Sequence, residues 1–223
     1  MSDYFDYICF DNYKIERVNS IKHLGLFLNQ SLNWTCHIDH LKTKISKYLG
    51  VFKRISGFIS TNIKMQLYFA HIYSHLIYLN PIWNSAPEYK LKQLEVLNKK
   101  AIKFMYNLPR VTPTISLYRD GLLPISILSL YESNLLVYKI HNKLIKSNNY
   151  LERNLNTHNY ATRFVNNFRA IFSRTNLTQA SIYSRGVMLF NKIPLSIKNE
   201  KKISVFKLNL RKHLTCSRIL VPN

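Results

Sequence analysis

Apolar residues alternate with polar ones only at the start of the chain. Tyr7-Ile8-Cys9-Phe10 and Lys14-Ile15-Glu16-Arg17-Val18, joined by the polar pair Asp11-Asn12, predict a hairpin. Leu24 to Leu28 predicts a third strand, in which Gly25 marks a bulge or a close backbone approach. From there the period changes to that of a helix. Ile38, Leu41, Ile45, Tyr48, Leu49, Phe52 and Ile55 form one stripe, flanked by Lys42 and Lys53 on one side and by Lys47 and Arg54 near the opposite edge. A second helix, capped by Ser60 or Thr61 and running to about Asn80, is apolar almost all round and so predicts a central element. Pro87-Glu88 opens a third helix with Leu91, Leu94, Leu97, Ala101 and Met105 on one face. A fourth starts near Pro124 and runs to about Lys146. Residues 147–180 are rich in Asn, Ser, Thr and Arg and predict irregular structure with one or two short strands. A helix over about 181–191 follows, Pro194 breaks the chain, and an amphipathic helix from Ser204 carries Val205, Phe206, Leu210 and Leu214. The expected fold is mainly α with short strands at the amino end and a small α+β region at the carboxyl end.

Charge changes what this architecture is for. The 223 residues hold 32 Lys plus Arg against 11 Asp plus Glu, a formal charge of +21. Such an imbalance repels itself and is best explained by a polyanionic partner. It is also uneven: residues 1–50 hold six basic and five acidic side chains, and residues 151–223 hold thirteen against two. With 47% hydrophobic and 13% aromatic residues there is material for a core, which excludes a wholly disordered basic tail. The odd set Cys9, Cys36 and Cys216 gives neither a disulfide framework nor a four-ligand zinc site. Asp3, Asp6 and Asp11 exclude a signal peptide over the first 20 residues, and His71, His75, Asn80 and Pro81 interrupt the longest apolar stretch, Leu67 to Trp83. The expectation is a protein of the nucleus or cytoplasm, neither secreted nor membrane-bound.

Catalytic chemistry finds few parts. Two-metal nucleotidyl transfer needs clustered carboxylates, and no Asp-Asp or Asp-x-Asp pair occurs; no glycine-rich phosphate loop is possible with 5 Gly. His71 and His75, four apart, lack the Glu of the zinc-protease pattern, and Cys36-His37 with His40 lacks a further ligand. No catalytic or metal-binding residue is assigned. The basic helices carry more. Lys92, Lys99 and Lys103 fall within about 40° of one another around the third helix, with Lys100 further round, a stripe able to follow a phosphate backbone or simply to face water. Further on, Arg153, Arg163, Arg169, Arg174 and Arg185 are interleaved with Tyr150, Tyr160, Phe164, Phe168, Phe172 and Tyr183, the mixture that holds irregular or single-stranded nucleic acid. About half of these aromatics are expected in a small core.

The order of several short motifs resembles one family. Lys22-His23-Leu24-Gly25, Leu32-Asn33-Trp34, His37-Ile38, Leu41 and Lys44 are similar to the run that closes the palm and opens the thumb in reverse transcriptases of non-LTR (LINE-type, jockey-like) retrotransposons. Leu67-Tyr68, Tyr73, Pro81-Ile82-Trp83-Asn84, Leu94, Leu97 and Lys99-Lys100-Ala101-Ile102 continue the likeness. So do Leu122-Leu123-Pro124-Ile125, Asn159-Tyr160-Ala161-Thr162-Arg163, and Ser181-Ile182 through Ile193-Pro194 to Phe206-Lys207. It covers essentially the whole chain. It departs at Phe190, where the family has Trp, and in lacking the Phe/Tyr-Ala-Asp-Asp catalytic motif.

The resemblance implies a carboxyl-terminal fragment whose palm and fingers lie upstream. Residues 1–35 would be palm-edge and primer-grip strands, 36–110 a thumb-like helical bundle, and 111–223 a basic α+β region. RNA, DNA or an RNA–DNA duplex would be the partner, along with the missing palm and fingers segment. No cofactor is expected within the chain, Mg²⁺ belonging to the missing palm, and the chain alone would extend no primer. The residues expected to touch nucleic acid are Lys22, Gly25, Lys42, Lys53, Arg54, Lys92, Lys99, Lys100, Lys103, Arg163, Arg169 and Arg174. A translated remnant with no stable fold and no function, and a co-opted stand-alone RNA- or DNA-binding protein, are the alternatives.

Overall fold

The computed structural model describes residues 7–11, 13–118, 120–146, 151–154, 167–172 and 174–219, and the chain is mainly helical with short antiparallel strands near its amino end. β1 (Tyr7–Phe10) pairs with β2 (Tyr13–Glu16), and β3 (Ser20–His23) with β4 (Leu26–Asn29), as two separate two-stranded ladders. The single strand expected over Leu24–Leu28 is instead a turn and the strand after it. Leu24 and Gly25 both take positive φ, 46° and 80°, as a two-residue hairpin loop requires. The close approach expected at Gly25 is real: a Cβ there would meet the Tyr78 ring at 3.4 Å, and Tyr78 donates its hydroxyl to the Leu24 carbonyl at 2.6 Å. That bond ties the second hairpin to the helices. Among the described residues the first hairpin shows no such tie, and every residue of β1 and β2 is exposed.

α1 (Thr35–Ile55) buries the predicted stripe, with His37 added to it. The next helix runs from the expected start to Ile77, slightly short of the expected end near Asn80, and contains a π turn. α2 (Thr61–Tyr68) passes through a π turn (Phe69–Tyr73) into α3 (Ser74–Ile77), the chain turns at Tyr78 and Leu79, and α4 (Asn80–Trp83) follows. Pro81 explains the break. It has no N–H to donate to Ile77, and its ring would collide with that carbonyl, so the helix restarts with proline in its first turn. The freed carbonyls are satisfied nearby: Trp83 Nε1 donates to Tyr78 at 2.8 Å and Asn80 Nδ2 to Leu76 at 3.0 Å. Ser60 stands at the expected cap of α2, but its side chain makes no capping bond.

α5 (Glu88–Met105) lies along α1. A short 3₁₀ turn (Thr114–Leu117) leads to α6 (Ile125–His141), which begins after Pro124 and ends short of Lys146. Glu95 holds its start, accepting the Ile125 N–H at 2.8 Å, where a carboxylate meets the positive end of the helix. α6 is buried on several sides and packs against α4 and against members of the last group of helices, chiefly Val187–Asn191 and Ile203–Ile219. These are α7 (Asn176–Gln179), a π turn (Ile182–Gly186) running into α8 (Val187–Asn191), α9 (Leu195–Lys198) and α10 (Ile203–Ile219). Of the short strands expected over 147–180, the described residues show one isolated bridge, Arg153 to Phe168. Among the described residues one buried cluster extends from Leu26 to Leu210, with Tyr138 stacked on Phe206 at 3.9 Å near its carboxyl end.

The two hairpins should therefore respond differently to truncation. Of the described residues, a deletion of 1–16 removes only exposed ones, those of β1 and β2 with Asp11, including Ile8 at 68% and Phe10 at 66% exposure. Helical content and the unfolding midpoint should stay unchanged while aggregation falls, because an open apolar strand edge is gone. Deleting residues 1–30 also removes Leu26, which is 6% exposed, and should cost about 2–5 kcal/mol. Light scattering and thermal unfolding of the two truncations check both statements.

Candidate nucleic-acid interface

α1 and α5 run side by side in the same direction. Lys90 Nζ donates to both carboxylate oxygens of Asp39, at 2.7 and 2.6 Å, and Lys42 Nζ donates to Gln93 Oε1 at 3.0 Å. Both contacts join residues 51 apart, so the two helices keep one register along their seam. At 100° per residue, Lys53 lies three turns beyond Lys42 and about 20° round from it; Lys100 lies two turns beyond Gln93, again about 20° round. Lys42, Lys53 and Lys100 thus border the same seam. All three are exposed. Lys42 has only a neutral amide for a partner, and Lys53 and Lys100 have none among the described residues. Over Lys42 to Lys53 the row extends roughly 16 Å along the helix axis, the span of a few nucleotides of backbone.

The stripe of Lys92, Lys99 and Lys103 has a different character. Lys92 pairs with Glu88 at 2.9 Å and Lys99 approaches Glu95 at 3.9 Å, both one turn apart on α5. Lys103 donates to the Arg110 carbonyl and so anchors the loop that follows the helix. Glu95 also accepts the Tyr118 hydroxyl and the start of α6, which makes it part of the scaffold. The stripe exists, but its charge is partly matched.

The remaining expected residues are dispersed. Lys22 is exposed on β3, its ammonium 5.8 Å from the Phe27 ring centre, and Gly25 is in the adjacent turn. Arg54 is exposed in the last turn of α1 beside Lys53, where cations suit the negative end of the helix. Arg169 is exposed directly after buried Phe168, and Arg174 is exposed just before α7. Arg163 lies outside the described residues, as do Tyr150, Tyr160 and Phe164. Of the aromatics interleaved with arginine, Phe168 is core and Phe172 is 91% exposed.

Two basic features escape sequence reasoning. Lys64, at 1% exposure, is buried on α2, its ammonium donating to Asn107 at 2.8 Å; nothing among its polar neighbours Asn62 and Gln66 marks it as a core position. Lys198 donates to the Asn191 carbonyl at 2.7 Å, and burial lowers its pKa below the ordinary lysine value. It lines a small cavity of about 180 Å³ with His141 and Arg153.

His71 and His75 both lie against Tyr48, with ring centres at 4.9 and 6.0 Å. Among the described residues, no group of three His, Cys, Asp or Glu side chains could hold a metal ion. Cys9, Cys36 and Cys216 are free thiols at exposed positions. No helix among the described residues is long and apolar enough to cross a membrane. No protein-family model, curated protein or solved structure matches the chain.

Proposed function

We propose that the chain is a nucleic-acid-binding module that holds a duplex through its phosphates, with the seam between α1 and α5 as its principal contact. The observation that carries this reading is the row Lys42, Lys53 and Lys100, three exposed ammonium groups without a carboxylate partner, on a chain of net charge +21. A row of point charges on rigid helices contacts backbone and reads no base edges, so binding would be strong at low salt and indifferent to sequence.

The resemblance gives this module a place. In a LINE-type reverse transcriptase the helices α1 to α5 would be the thumb, the hairpins the palm edge, and the residues beyond about 110 a basic carboxyl-terminal region. Ile8, Phe10, Tyr13 and Ile15, all more than half exposed, are then the apolar surface that upstream palm and fingers would cover. Such a module would position a template–primer duplex, and the carboxylates of a palm with Mg²⁺ would supply the bond-making. Its setting would be the nucleus or cytoplasm.

Fluorescence anisotropy with two RNA–DNA duplexes of unrelated sequence tests the proposal. Both should bind with affinities within about threefold of each other and lose affinity steeply as salt rises. Absence of binding at 50 mM salt, or a strong preference for one sequence, would contradict it.

A further inference from the structure

Behind the turn of the second hairpin lies a cleft of about 460 Å³, walled by Leu24 and Gly25, by α1 and by α3. His37, His40 and Lys44 line it from α1, Ser74 and His75 from α3, and Tyr78 from the chain after α3. None of the lining residues is acidic. Ser74 already donates its hydroxyl to the Ala70 carbonyl at 2.5 Å, so imidazoles and an ammonium remain as the donors. His37 decides what the cleft is for. It is 2% exposed, and neither ring nitrogen has a hydrogen-bond partner. A buried imidazole left this way is costly, a cost that a ligand accepting its N–H would remove.

We propose that this cleft binds a phosphoryl group, taken up by Lys44 with the imidazoles of His37, His40 and His75. The titratable groups that line it are His37, His40 and Lys44 from α1, His75 from α3, and Tyr78; Lys22 from β3, Lys47 and Tyr48 from α1 and His71 from the π turn neighbour those histidines, and none of these groups is an acid. The carboxylate nearest in sequence, Asp39, is engaged by Lys90 at the seam. Burial first, and cationic neighbours without a counterion second, disfavour protonation here. Burial, then His40, brings His37 down to about 4; burial, then Lys44, Lys22 and Lys47, lowers His40; burial, then Lys44, His71 and His40, lowers His75. An oxyanion in the cleft reverses that balance. It makes protonation of His40 and His75 favourable, and acidification then tightens binding. The inference rests on the nucleic-acid reading only for the source of the phosphoryl group.

The test uses the full chain, with inorganic phosphate as the probe and chloride at equal ionic strength as the control, followed by NMR of the histidine side chains between pH 6.0 and 7.5. Phosphate should shift the His40 and His75 ring signals, raise the pH at which both titrate, and bind more tightly at pH 6.0. Phosphate itself loses charge over that range, so tightening must come from the protein. Lys44→Gln, at a half-buried position outside the core, should weaken binding about tenfold or more. His75→Gln should remove the pH dependence in part. A thymidine dinucleotide that displaces phosphate assigns the site to the phosphodiester of a strand; if only inorganic phosphate binds, the site takes a terminal or free phosphate. Lys42→Gln/Lys53→Gln/Lys100→Gln should bind phosphate as the unaltered chain does, which separates this site from the seam. Histidine signals that respond to phosphate no more than to chloride, or equal binding by Lys44→Gln, would overturn the proposal while leaving duplex binding at the seam untouched.

Discussion

Trp83→Ala should destabilise the protein by about 3–5 kcal/mol, the largest effect expected of a single side chain here. Trp83 is fully buried, its ring lies 6.0 Å from that of His37, and its Nε1 satisfies the Tyr78 carbonyl released where the helix breaks. The alanine variant leaves a cavity and an unpaired carbonyl together. For a chain of this size the unfolding midpoint should fall by roughly 10 °C. Trp83→Phe separates the two losses: it keeps most of the ring and forfeits the hydrogen bond, for about 1 kcal/mol. Thermal and urea unfolding of both variants measure this. A loss below about 1 kcal/mol for Trp83→Ala would mean that the break at Tyr78–Leu79 is not pinned by this side chain. The reading of the chain as a remnant with no stable fold predicts no cooperative transition in any of the three proteins.

The long helices were legible because each carries a clean apolar stripe. Ile38, Leu41, Ile45, Leu49 and Phe52 repeat at helical spacing, and all five are buried as the stripe requires. Between Thr61 and Asn80 apolar residues on every side give no phase, so the expected helix end near Asn80 overshoots the observed one at Ile77 by about a turn and the π turn within it carries no signal. The break depends on Pro81 together with the back-bonding of Trp83 and Asn80, a combination visible only once the chain has turned. Gly25 was recognised as special, but strands of four residues are too short to show which side of a turn they occupy. Among the cations, the sequence singled out Lys92, Lys99 and Lys103 because they share a helix face. It could not show that Glu88, Glu95 and the Arg110 carbonyl engage them. Nor could it show that Lys42 and Lys53 on one helix border the same seam as Lys100 on another, since that depends on a register between segments 51 residues apart. The empty partnership of His37 was equally hidden, because a histidine in an apolar stripe usually finds a hydrogen bond.

The seam and the stripe make different predictions for binding. Each phosphate neutralised contributes roughly 0.7–0.9 to the slope of log affinity against log salt. Lys42→Gln/Lys53→Gln/Lys100→Gln should therefore flatten that slope by about 2–3 units and lower affinity at 0.1 M salt by about 10²-fold. The loss should be alike for every duplex sequence, with little change in thermal stability, since all three side chains are exposed. Lys92→Gln/Lys99→Gln/Lys103→Gln should flatten it by about one unit or less, because acids already balance part of that charge. It should also lower stability through the loop that Lys103 anchors. The decisive measurement is a salt titration of duplex binding by the unaltered chain and by the seam variant, on two unrelated RNA–DNA duplexes. A slope flattened by 2–3 units on both duplexes is the predicted result; a seam variant whose slope and affinity match those of the unaltered chain would contradict the placement of nucleic acid along α1 and α5.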